Sequence, residues 1–121
     1  MSKKPKRSKL EAEFEAQLEK GGWTPGMVIE HQFHPTRRWR FDVCWPAYRV
    51  AVEVMGGLWV RGAHARPQGL QNDMIKAREA ALLGWTVIAG TGQCIKNGEL
   101  YDVTTRLLEQ RGYRFGKKKD D

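Results

Sequence analysis

At 121 residues the chain is long enough for one domain with a buried core, and 40% hydrophobic content with five tryptophans excludes a disordered polymer. Its net charge of +7 and pI near 9.7 point toward polyanionic partners, of which nucleic acid is the commonest. No apolar run reaches the length of a bilayer span.

Met1 leads into Lys3, Lys4, Lys6, Arg7 and Lys9 instead of an apolar leader, so no secretory signal is expected. Cys44 and Cys94 are far apart and form no CxxC pair. Neither a zinc site nor a disulfide framework is therefore expected, and a cytoplasmic location suits the chain.

Residues 1–9 read as a flexible basic arm. From residue 10 to about 20, Leu10, Phe14 and Leu18 recur at helical spacing, with Ser8 placed as a cap and Gly21-Gly22 as a stop. Residues 27–33 read as a strand made polar by His31 and Gln32, followed by a His34-Pro35-Thr36 turn and the basic run Arg37, Arg38, Trp39, Arg40. Residues 39–45 and 48–55 are both strand-like, with Pro46-Ala47 as a two-residue connection. Trp39, Phe41 and Val43, like Val50, Val52 and Val54, then form one apolar face, while Asp42 and Glu53 share the other.

Gly56-Gly57 stops the second of these strands, and a loop containing Trp59, Arg61, His64 and Arg66 follows. A helix over about 70–83 presents Leu70, Met74, Ala77 and Ala81 as its buried stripe. Residues 85–89 supply a fourth strand, and a helix over about 99–110 buries Leu100, Val103 and Leu107. The expected organisation is an arm (1–9), one α/β domain (10–112) with a mixed central sheet, and a charged tail (113–121).

The two acids carry the chemistry. If Trp45 pairs with Tyr48, Asp42 falls opposite Ala51 and Glu53 opposite Arg40, which makes the carboxylates diagonal neighbours about 7–8 Å apart at the backbone. Any even-length connection keeps them on one face. Paired carboxylates repel unless a cation or proton intervenes, and a hard divalent ion with oxygen ligands resolves the conflict. The bland alternative is that both acids pair with Arg40 on an exposed sheet.

Asp42, ten residues, then Glu53 within an apolar strand resembles the D…(D/E)-x-K core of PD-(D/E)XK nucleases. The stretches RRWRFDVCWP and VAVEVMGG, with Asp73 and Lys76 beyond them, are similar to small phage and bacterial endonucleases, including archaeal-type Holliday junction resolvases. The resemblance covers residues 10 to 91 and implies an α-β-β-β-α-β-α restriction-endonuclease-like sandwich. It implies a homodimeric, structure-selective DNA endonuclease using Mg²⁺, with Mn²⁺ as a substitute. Asp42, Glu53 and the backbone carbonyl of Val54 would hold the ion, with Glu11 assisting.

The motif lysine is replaced by Met55, and Lys76 on the following helix is the candidate for its role. Arg37, Arg38, Arg40, Arg61, His64 and Arg66 are candidate DNA contacts, Trp39 reads as core, and Trp59 is undecided between core and base stacking. The rival expectations are a basic nucleic-acid-binding module with structural acids, or an RNA-directed nuclease.

Overall fold

The computed structural model describes residues 8–55 and 67–115. Helix α1 (Lys9–Gly21) starts at Ser8, whose hydroxyl accepts the Glu11 N–H at 3.1 Å while the Glu11 carboxylate accepts the Ser8 N–H at 3.3 Å. This reciprocal box satisfies two helix-end donors. Gly22 closes the helix at φ 84°, a conformation that favours glycine because it has no Cβ.

The remaining elements are β1 (Val28–Gln32), β2 (Arg40–Trp45), β3 (Val50–Met55), α2 (Pro67–Leu82), β4 (Thr86–Thr91), α3 (Gly92–Lys96) and α4 (Glu99–Gln110). The sheet order is β1-β2-β3-β4, antiparallel except for the parallel β3–β4 pair that α2 connects. The chain is thus an α/β protein with a mixed four-stranded sheet. No helix among the described residues is long and apolar enough to cross a membrane.

Helices α1, α3 and α4 cover one face of the sheet. Phe14, Leu18, Ile95, Leu100 and Leu108 pack there on Val43, Trp45, Val50 and Val52. Helix α2 lies on the other face, where Ala80 joins Phe33, Phe41, Cys44, Ala51 and Trp85. Two polar groups in the first layer find backbone partners: the Trp45 indole donates to the Trp23 carbonyl at 2.8 Å, and the Tyr113 hydroxyl to that of Pro25 at 2.8 Å. The core therefore reaches Tyr113, inside the stretch expected to be tail.

Several sequence expectations change. The β2–β3 connection is not a two-residue turn: Pro46–Tyr48 forms a 3-10 turn, Arg49 closes it at φ 55°, and Trp45 pairs with Val50. The connection is still even in length, so extending the Val43–Val52 register by one step sets Asp42 opposite Glu53 rather than diagonal to it.

The single apolar stripe on β2 also divides. Val43 faces the α1/α4 layer, whereas Phe41 joins the α2 layer with Cys44, and partly buried Trp39 packs beside it. Strict alternation would put Phe41 and Val43 together, so its phase breaks at Asp42.

The helix stripes are rotated. On α2, Met74 is 52% exposed and Ala77 and Ala81 are exposed, while Ala80 is buried. On α4, Val103 is exposed and Leu100, Thr104 and Leu108 line the buried side. The covered stripe of a helix depends on how it packs against its neighbours as well as on residue spacing. Helix α3 was not expected, being too short to show periodicity.

Candidate active site

Asp42 lies between two groups of side chains. Its Oδ2 accepts the Val54 N–H at 2.7 Å, which ties the start of β2 to β3 beyond the Val43–Val52 pair. One carboxylate oxygen each from Asp42, Glu11 and Glu30 lies within 4.8 Å of the others. All three residues are half-buried. Glu11 comes from the first turn of α1, and the β1–β2 register sets Glu30 opposite Asp42.

Glu30 went unrecognised in the sequence, where it sits in an unremarkable polar strand. The signal lay in the register, because the strand pairing brings it to Asp42. Its backbone is held at φ 52°, which a glutamate rarely adopts and which costs on the order of 1–3 kcal/mol. Three carboxylates this close repel one another unless protons or a cation intervene. An all-oxygen, anionic donor set of this kind suits a hard divalent cation.

On the α2 side, Lys76 forms an ion pair with Glu53 and donates to the Arg40 carbonyl at 2.8 Å. Both side chains of the pair are mostly buried. Burial pushes the Glu53 carboxyl above its ordinary range. The adjacent Lys76 ammonium pulls it down and neighbouring Asp42 pushes it up, and burial prevails.

The pair lines a cavity of about 610 Å³ between α2 and the sheet, together with Asp42, Asp73, Met55, Phe41 and Trp85. Met55 and Lys76 thus share one space, as required if a helix lysine stands in for a strand lysine. Asp42 also lines the cavity, joining it to the three-carboxylate group.

The structure therefore brings together Asp42, Glu53, Lys76 and Glu11, with the Val54 backbone beside them. Among the described residues, Glu53 is not a member of the three-carboxylate group and faces Lys76 instead. Arg37 and Arg38 are exposed on the β1–β2 connection, where the Arg37 guanidinium lies 4.3 Å from the centre of the Trp39 ring. Arg40 begins β2 and is half-buried. Arg61, His64, Arg66 and Trp59 lie outside the described residues. No family model, curated protein or solved structure matches this chain.

Proposed function

We propose that the protein is a metal-dependent, structure-selective DNA endonuclease of PD-(D/E)XK type, with a restriction-endonuclease-like sandwich and Holliday junction resolvase-like activity. The observation that carries this reading is the position of Asp42. It belongs at once to an oxygen-rich group suited to a divalent cation and to a cavity holding a buried acid–lysine pair.

Asp42, Glu11 and Glu30 would hold the cation, with Glu53 and the Val54 carbonyl approaching from the β3 side. When bound, Mg²⁺ or Mn²⁺ supplies Lewis acidity to a phosphate oxygen and lowers the pKa of water. The chain's own residues do the rest. Lys76 places a fixed positive charge beside Glu53, where negative charge grows as a phosphodiester is attacked.

The Arg40 carbonyl helps to hold the Lys76 ammonium in place, which limits its reorganisation during the reaction. Arg37, Arg38 and Arg40 bind the flanking backbone, and such contacts fix position without reading sequence. A domain of this size has little surface for sequence readout, which favours recognition of DNA shape. Symmetric cutting of a four-way junction calls for two sites, hence a homodimer with twofold symmetry. A cytoplasmic location, in a bacterial cell or a phage-infected host, belongs to the same proposal.

The test is incubation with four-way, nicked and linear DNA and with RNA, first in Mg²⁺ and then in EDTA. Mg²⁺-dependent cleavage of branched DNA in preference to linear DNA is the expected result. Tight binding unchanged by EDTA, with no cleavage of any substrate, would establish a binding module with structural acids. Preferential cutting of RNA would move the substrate to RNA.

A further inference from the structure

His34 occupies the turn that opens the basic run, and its two ring nitrogens have different jobs. Nδ1 lies 3.2 Å from the Thr36 N–H and 3.0 Å from the Arg37 N–H. Both amides can only donate, so Nδ1 carries a lone pair and the ring proton resides on Nε2. Nε2 then donates to the Glu79 carboxylate on α2 at 2.9 Å.

The ring is only 12% exposed and meets Trp39 edge-on, with centroids 5.2 Å apart. One imidazole thus folds the 34–37 turn from within and fastens it to α2 from outside. Lys76, one helical turn before Glu79, holds the far end of the same run through the Arg40 carbonyl. The segment bearing Arg37 and Arg38 is therefore bracketed by two attachments to one face of α2, and Arg37 lies over the Trp39 ring between them.

From this bracketing we infer that His34 is a positioning residue: it latches the Arg37–Arg38 turn to α2 as a preorganised clamp for a nucleic-acid backbone. This inference rests on the proposed nuclease reading and deepens its substrate interface. Preformed geometry spares the ordering cost that a free loop with two long cationic side chains meets on binding. The latch acts on affinity and leaves the chemical groups alone, since the bonds of His34 run to Thr36, Arg37 and Glu79.

The test measures binding of a fluorescent four-way junction by anisotropy in EDTA, across a range of salt, using the full chain. His34→Ala and Glu79→Ala are each expected to weaken binding about three- to tenfold and to flatten its salt dependence. Neither should weaken it further when Arg37 and Arg38 are already alanine. His34→Asn should recover part of the loss, because its side-chain oxygen can accept the same two amides.

A loss from His34→Ala that persists in full without the two arginines would overturn the latch. So would unchanged binding in both latch variants while Arg37→Ala/Arg38→Ala binds less tightly; the nuclease reading would survive that outcome. If removing the arginines itself changes nothing, the proposed DNA interface is wrong and the latch falls with it. Should His34→Ala not fold, Glu79→Ala carries the test, since its side chain is 39% exposed.

Discussion

Asp42 accepts the backbone N–H of Val54 at 2.7 Å, so a side chain supplies the cross-strand bond where Asp42 would face Glu53. The same carboxylate serves the fold through one oxygen and the candidate cation site through its charge. Asp42→Asn separates the two roles, because an amide oxygen still accepts the Val54 N–H. The variant should keep its melting temperature to within a few degrees, lose cleavage, and bind DNA as well as or better than the parent through reduced repulsion. Near-parental cleavage by Asp42→Asn combined with Glu53→Gln would remove both residues from the chemistry.

Glu30 offers a second separation. Glycine tolerates the left-handed backbone that glutamate occupies at φ 52°, so Glu30→Gly should raise stability by about 1 kcal/mol. It should also reduce the upward shift in melting temperature produced by Mg²⁺ or Mn²⁺, since a ligand is gone. Calorimetric titration and thermal melts read both effects. An undiminished metal shift would place the ion elsewhere.

Lys76 should act mainly in the transition state. Lys76→Ala is expected to lower turnover on the order of 100-fold or more, as for removal of a preorganised charge, with DNA affinity falling no further than in the His34→Ala variant, since Lys76 also holds the Arg40 end of the basic run. Met55 lines the same cavity, so Met55→Lys in that background should restore part of the rate. Full activity of Lys76→Ala would show that α2 contributes no catalytic charge.

The buried Glu53 carboxyl makes stability depend on pH. Its folded pKa is raised above the ordinary 4.5, so the folded state holds the proton more tightly than the unfolded chain. The resulting stabilisation is complete below the ordinary value and is lost as pH rises through the elevated one. Relative to the parent, Glu53→Gln should therefore gain melting temperature progressively from about pH 4 toward neutrality. Parallel melting curves for the two proteins across that range would contradict the assignment.

Arg37→Ala with Arg38→Ala should weaken binding to every DNA tested. Each lost phosphate contact should lower the slope of log K against log salt by about 0.9. An unchanged slope would mean that neither guanidinium meets the backbone.

The elements themselves were legible because their signals are local. Ser8 and Glu11 cap α1 across three residues, Gly22 ends it, and Phe14 and Leu18 repeat at the helical period. The even length of the β2–β3 connection was legible too, and Asp42 and Glu53 do line one cavity. Their direct opposition was not, because Arg49 extends the connection through a left-handed conformation that no spacing rule announces.

Tertiary structure alone decided which acids meet. Glu30 reaches Asp42 through strand register, and Lys76 reaches Glu53 because packing turns that side of α2 toward the sheet. It also split the expected apolar stripe, sending Phe41 to one layer and Val43 to the other. Sequence periodicity records only the average direction of side chains along an element. Register, helix rotation and the left-handed backbone at Glu30 are set by contacts between elements, and those contacts place the candidate site.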